Sequence, residues 1–257
     1  MNSLPELSTI RVIPYGCYSA DFNMAADEYL LTQSYPVLRL YGWKRPTLSF
    51  GRSNCSPVEL NSAFCDRMKI DKVRRKSGGK TVLHHQELTY SFACDTECFP
   101  SSIMETYRFI SQALADCFKT YGLQPEMKPA KKSTPDTSIC FKEVSAYEIT
   151  INKKKAVGSA QYRRRKRFLQ HGSILLDIDW HLWKSIWNIP SESNQLESRI
   201  TSLKSELGYT PAAEEFSLKL MNSFANIFNA RADIKDLDSQ EREAINSLSK
   251  TYQWTGF

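Results

Sequence analysis

Short strand-like runs crowd the first half of this chain, and they follow one another instead of alternating with helices. Val37 to Tyr41 and Thr47 to Gly51, joined through Pro46, read as the two strands of a hairpin. Arg74 to Val82 contains Gly78-Gly79 and leads into Leu88 to Cys94, LTYSFAC, which alternates like a half-buried strand. Ala146 to Ile151 and Ala156 to Ala160, linked by Asn152 and three lysines, read as a second hairpin, and Phe168 to Ile178 as a strand pair or one bent strand. Helical spacing is clearest at Ile103, Tyr107, Ile110, Leu114, Phe118 and Tyr121, with Gly122 as the stop. A first helix is expected over Phe22 to Gln33, capped by Asp21, and helices dominate from about residue 180, where Phe216, Leu220, Phe224 and Ile227 share a face. Residues 124 to 139, rich in Pro, Lys, Ser and Thr, read as an exposed loop. Hairpins and helices without βαβ alternation indicate an α+β fold.

The 257 residues carry 34 Lys and Arg against 28 Asp and Glu, a formal charge of +6, which favours an acidic partner without saying which. Nucleic acid, a membrane surface and an acidic protein all qualify. No run approaches 18 apolar residues, so no transmembrane helix is expected, and the N-terminus lacks the basic start and apolar core of a signal peptide. The seven cysteines form no regular framework, which suits free thiols and a cytoplasmic location. Cys94 and Cys98 have no histidine-rich neighbourhood, so no metal site is expected.

The stretch VRRKSGGKTVLHHQELTYS has the strongest chemical content. Adjacent glycines allow backbone N–H groups to approach a ligand, and Arg74, Arg75 and Lys80 add charge suited to a phosphate or carboxylate. A plain basic turn accounts for the same residues, and neither a Walker A nor a dinucleotide spacing is present. The basic runs Lys153 to Lys155 and Arg163 to Arg167 fit a solvated face, a docking patch for an acidic protein, or a non-enzymatic nucleic-acid binder.

Taken together, four blocks resemble the lipoate-protein ligase A and octanoyltransferase family. They are Asn23-Met24-Ala25-x-Asp27-Glu28, Tyr41-Gly42-Trp43 through Gly51-Arg52, Arg74-Arg75-x-Ser77-Gly78-Gly79-x-x-Val82-x-His84 through Ser91, and Lys155-x-x-Gly158-Ser159-Ala160-Gln161 with Gln170-His171-Gly172-Ser173 through Asp177. The resemblance implies one catalytic domain over residues 1 to 257, built on a central mixed or antiparallel sheet with a smaller sheet and flanking helices. It implies that a lipoyl or octanoyl group is placed on a lysine of lipoyl domains of 2-oxoacid dehydrogenase complexes or of the glycine-cleavage H protein, with neither nucleic acid nor membrane as partner. Arg52, Arg74, Arg75, Ser77, Gly78, Gly79, Lys80, Val82, His84, Gly158, Ser159, Ala160, His171 and Gly172 are the substrate-binding residues it points to.

Lys155 is the lysine that the resemblance singles out, as the cation meeting the acyl carbonyl. Cys140, in SICFKEVSAYEI, resembles the acyl-accepting cysteine of one octanoyltransferase type, although a lone cysteine with apolar neighbours also fits a core position. The chain departs from the family at Asn54, Lys80 and His85, and Lys80 stands where ligases carry a third glycine. Cys140 and Lys80 favour octanoyl transfer from acyl carrier protein, which needs no cofactor. The alternative is a ligase that uses ATP and Mg²⁺ to form lipoyl-AMP. His84 and His171 are expected to fix loops.

Overall fold

The computed structural model describes residues 6–53, 60–99, 102–127 and 148–256. Its centre is a six-stranded mixed sheet in the order β10-β11-β6-β2-β1-β12, formed by β1 (Thr9–Tyr18), β2 (Val37–Trp43), β6 (Glu87–Asp95), β10 (Val157–Arg164), β11 (Arg167–Leu175) and β12 (Arg231–Ile234). β1 runs parallel to both β2 and β12, and the remaining pairs are antiparallel. One smaller sheet joins β3 (Thr47–Phe50) to β4 (Asp71–Arg74) and β5 (Val82–His84), and another joins β7 (Glu126–Met127), β8 (Ile149–Ile151) and β9 (Lys154–Lys155). The α+β expectation is met.

The alternation in LTYSFAC is realised in β6. Leu88, Tyr90, Phe92 and Cys94 enter the core against α3 (Ile103–Lys119) and α6 (Ala213–Ile227). There Phe92 stacks on Phe228 with centroids 5.5 Å apart and rings 5° from parallel. Because successive strand residues face opposite sides, Thr89 and Ser91 are turned the other way. On that side lies α1 (Ala20–Leu31), whose Met24, Ala25 and Leu30 pack with Ile245 of α7 (Ser239–Ser249). The small β3-β4-β5 sheet has its own core, in which Leu48, Phe50 and Leu83 meet Leu182, Trp183 and Ile186 of α4 (Trp180–Ile186). α2 (Ser62–Arg67) and α5 (Leu203–Leu207) complete the helices. Among the described residues, no helix is long and apolar enough to cross a membrane.

Several sequence expectations need correcting. The hairpin of Val37 to Tyr41 with Thr47 to Gly51 does not form, because both edges of β2 are taken by β1 and β6, and β3 pairs with β4 and β5. The turn at Asn152 and Lys153 is present, with φ of 49° and 64° at its two central residues, the pattern of a type I′ hairpin turn. Its second arm ends at Lys155, however, where the backbone N–H donates to Arg199 and the carbonyl accepts from Thr201. After this β10 pairs with β11. Phe168 to Ile178 resolves to the single strand β11. α1 starts one residue before Asp21, with Ser19 as the N-cap, which leaves Asp21 in the first turn near the helix dipole's positive end. α3 matches expectation, capped by Ser102 accepting from Glu105 N–H and followed by Gly122 at φ +77°.

Candidate active site

The site grows from a carboxylate buried between α1 and the large sheet. Asn23 and Asp27 stand one helical turn apart on the same face, and Arg39 and Tyr41 share one face of β2. Arg39 has no exposed surface. It donates to Asp27 Oδ1 at 3.2 Å and to Asn23 Oδ1 at 2.6 Å, with its guanidinium 3.9 Å from the Tyr41 ring centroid. Asp27 also accepts from Ser91 Oγ at 2.8 Å and Tyr41 Oη at 3.0 Å, and meets His171 Nδ1 at 3.1 Å. Burial on its own would raise this carboxyl's pKa. The hydrogen bond from His171 and the charge of Arg39 outweigh burial and hold it below its usual range. An ionised Asp27 accepts the Nδ1 proton of His171, so Nε2 is left facing Ser77 Oγ at 2.6 Å. Asp27, His171 and Ser77 thus form one buried chain from α1 to the glycine loop.

That loop, residues 75 to 80, is stapled from within. Arg75 donates to Ser49 O (2.6 Å), Ser49 Oγ (3.1 Å), Gly78 O (3.0 Å) and Lys80 O (2.6 Å). Arg52 N–H donates to Ser77 O at 2.9 Å. A Cβ on Gly51 would lie 2.0 Å from the Gly79 carbonyl, so only glycine lets these backbones meet. Ser49 Oγ in turn meets His84 Nε2 at 2.8 Å. The His84 ring stacks on Trp43, centroids 4.0 Å apart, with Nδ1 3.5 Å from Glu87 Oε1. Burial, partly opposed by Glu87, lowers the His84 pKa and keeps the ring neutral near pH 7.

These elements enclose a cavity of about 200 Å³. Met24, Tyr41, Trp43 and Val82 supply its apolar wall, and Gly79, Lys80, Gly158, Ser159, Ala160 and Gly172 its narrow sides. Glu148 also reaches the wall, and its Oε1 lies 2.8 Å from Lys155 Nζ, with both side chains essentially without exposure. A buried ion pair of this kind is costly to break from either side. A Cβ on Gly172 would stand 2.5 Å from Ser159 Oγ, 2.7 Å from Tyr90 Cε1 and 2.9 Å from Gly158 O. Gly172→Ala is therefore expected to lower kcat/KM for the substrate that fills this cavity by about 10- to 200-fold, as one ill-fitting methyl does in a shaped pocket. Steady-state kinetics check this, and unchanged kinetics would show that the wall yields.

Residues 19–225 match the family described as "Lipoyl protein ligase A/B catalytic domain". The chain belongs to this lipoyl protein ligase A/B catalytic domain family. It is 34% identical to the octanoyltransferase LipM of Kyrpidia tusciae, over 96% of this chain and 97% of that one. Its fold matches a crystal structure of lipoate-protein ligase A bound with ATP, with a TM-score of 0.78 at 18% identity and 95% of each chain covered. A bi-partite lipoate protein ligase from Thermoplasma acidophilum, described with its E2 lipoyl domain, superposes with a TM-score of 0.75 at 16% identity, covering 95% of this chain and 93% of that one. The chain is accordingly an enzyme of the lipoate/octanoate-protein transferase family.

Within this family member, the fold gathers most of the residues the sequence singled out. Arg75, Gly79, Lys80, Val82, His84, Gly158, Ser159, Ala160, His171 and Gly172 line the cavity. Ser77 is buried next to His171, and Gly78 contributes its carbonyl to Arg75. Arg52 and Arg74 line a separate cavity of about 380 Å³ beyond the loop, where Arg74 lies 5.8 Å from the Trp254 ring. The guanidinium of Arg75 is directed at oxygens of Ser49 in β3 and of the loop, so its geometry is that of a staple more than of the anion ligand expected from its charge. Lys155 stands behind the wall, next to Glu148. Cys140 and Asn54 lie outside the described residues. Sequence reading assigned no role to Met24, Tyr41, Trp43, Ser49, Thr89, Glu148 or Ser173 in the wall. Met24, Tyr41, Trp43, Ser49, Thr89 and Ser173 lie inside the motif blocks and Glu148 just beyond Cys140, so proximity to the motifs was the available signal.

Proposed function

We propose that this enzyme transfers an octanoyl group from acyl carrier protein to the acceptor lysine of lipoyl domains, through a thioester on Cys140. The observation that carries the reading is the small, largely apolar cavity of about 200 Å³ with Glu148 at its wall and Lys155 paired to it from behind. Such a slot suits an unbranched acyl chain whose carbonyl stops at the polar end. In the first step the Cys140 thiolate attacks the donor thioester, the carrier thiolate departs with the C–S electron pair, and an acyl-enzyme thioester remains. The acceptor amine then attacks that carbonyl, and Cys140 leaves as thiolate. The Lys155 ammonium stabilises the oxyanion in both steps. No nucleotide or metal is needed in this route, because the donor is already activated.

The 34% identity to the LipM of Kyrpidia tusciae supports this branch. The fold match to an ATP-bound lipoate-protein ligase supports the alternative, in which ATP and Mg²⁺ activate free lipoate. Against that alternative, Arg75 is occupied by four oxygen acceptors, two on Ser49 of β3 and two in its own loop, which leaves a nucleotide phosphate one cation fewer. The acceptors are lipoyl domains of 2-oxoacid dehydrogenase complexes or the glycine-cleavage H protein, met in the cytoplasm by one catalytic domain spanning the chain. The likeness to the Thermoplasma acidophilum ligase, which forms a lipoylation system with its E2 lipoyl domain, supports that acceptor class.

The deciding assay incubates the protein with an apo lipoyl domain and either octanoyl carrier protein without ATP, or lipoate with ATP and Mg²⁺, and weighs the acceptor. Modification in the ATP-free reaction, abolished in Cys140→Ser, is expected. Modification only with ATP, undiminished in Cys140→Ser, would overturn the thioester route.

A further inference from the structure

Amide formation has a proton problem that the residues named so far leave unsolved. The acceptor lysine arrives as an ammonium, with an ordinary pKa near 10.4, and attacks only after losing a proton. Two histidines line the cavity, and each turns both ring nitrogens toward other side chains of the protein and not into the cavity's free space. His171 is held through Nδ1 to Asp27 and through Nε2 to Ser77. His84 meets Ser49 through Nε2, turns Nδ1 to Glu87, and lies flat against Trp43. Asp27 and Glu87 are themselves engaged behind those rings and do not line the cavity. Among the described residues, Glu148 is the carboxylate that does.

We infer that Glu148 is the proton acceptor for the incoming lysine amine, with Lys155 as the partner that makes the exchange electrically neutral. In the resting pair, the Glu148 carboxylate balances the buried Lys155 ammonium at 2.8 Å. One proton passes from the acceptor ammonium to a Glu148 oxygen, and the freed amine's lone pair forms the C–N bond. The carbonyl π pair moves onto oxygen. That oxyanion then takes over the balancing of Lys155, so the buried cation is never left without a negative partner. The oxyanion collapses, the C–S bond breaks with its electron pair on sulfur, and the second N–H proton protonates the departing thiolate. Glu148 finally returns its proton to solvent. The sum is a thioester and an alkylammonium giving an amide, a thiol and one proton.

The surroundings keep the exchange local. Lys155 Nζ meets the carboxylate at 2.8 Å, and Tyr90 of β6 lies within reach of its charge. Burial lifts the Tyr90 pKa to about 12, with Glu148 adding to the rise, so the phenol stays neutral. Among the described residues, Tyr41, His84, His171, Arg75 and Lys80 are the other titratable residues of the wall.

The inference rests on the acyl-transfer reading, but it can be tested with whichever donor the wild type uses. Two acceptors are compared in Glu148→Gln, namely an apo lipoyl domain and hydroxylamine, an amine already neutral at pH 7. Transfer to the lipoyl domain is expected to fall about 100-fold at pH 7, in line with the loss of a general base. Formation of the acylated intermediate and its capture by hydroxylamine also feel the loss of the Lys155 partner, but they should fall by at least ten-fold less than transfer to the lipoyl domain. Transfer by the variant to the lipoyl domain should climb with pH as the acceptor amine loses its own proton. If Glu148 serves only to keep Lys155 charged, both acceptors fail together and the variant's rate falls as pH rises. Either that result, or wild-type transfer to the lipoyl domain at pH 7, would overturn the assignment. A wild type inactive with every donor would remove the transfer reading and this step with it.

Discussion

Asp27→Ala is expected to destabilise the protein by about 3 to 5 kcal/mol, the cost of leaving one partner of a buried ion pair alone. The stranded partner is Arg39, which has no exposed surface and whose ring neighbour Tyr41 loses its own acceptor at the same time. At about 2 to 4 °C per kcal/mol for a protein of this size, the melting temperature should fall by on the order of 10 °C. The pH dependence has a definite sign. Because the folded state holds the Asp27 pKa below its usual value, its contribution is complete above the unfolded value, about 3.9. It is lost as pH falls through the lower folded value. The stability gap between wild type and variant should therefore stay constant above about pH 4 to 5 and narrow below it. Equal melting curves at pH 7 would show that water replaces the carboxylate.

Lys155→Met should abolish acyl transfer for all practical purposes, lowering kcat by about 100- to 1000-fold, the usual consequence of removing an oxyanion stabiliser. The same change leaves Glu148 buried without its cation, so a loss of about 3 kcal/mol is also expected. The two effects separate in the double variant Lys155→Met/Glu148→Gln. It removes both charges, so most of the stability should return while transfer stays absent. Denaturant melts read the first and acceptor mass the second. Activity in Lys155→Met close to wild type would remove this lysine from the mechanism.

Local patterns were legible in the sequence wherever one segment sets its own structure. β6 follows from the alternation of Leu88 to Cys94, α3 from its apolar spacing, and the turn at Asn152 from a residue that tolerates left-handed backbone. Pairing over distance was not legible. β2 and β3 are neighbours in sequence yet belong to different sheets, because a strand's partners are chosen by which edges remain open. β12 carries four residues, mostly exposed, with no alternation to announce a parallel edge strand. At the site, the motif blocks located the cavity walls, since close approach of backbones demands glycine at Gly51 and Gly172. Who bonds whom was hidden. Ser77 and His171 lie 94 positions apart, and His171 and Asp27 lie 144 apart, beyond the reach of any periodicity. Arg75 shows the cost of reading charge alone, because a cation in a glycine loop looks like a ligand hook until its acceptors are seen.

The docking of α7 on α1 has a bearing on how the protein is made. α1 carries Asp27 on its sheet-facing side and is packed by α7 and by the turn at Lys250–Tyr252, with Arg11 bound to Glu241 at 2.6 Å and Tyr252 to Glu28 at 2.7 Å. These contacts span more than 220 positions, so the support behind the site is translated well after the segments it supports. As the ribosome releases chain at some 5 to 20 residues per second, the early segments wait about 10 to 45 seconds for it. During that interval the β1 edge that β12 will cover stands open, a pairing surface for other chains. Nascent chains stalled before residue 231 should engage chaperones and lack the acyl pocket. Docking of α7 on α1 is then expected to complete the packing behind the helix that carries Asp27.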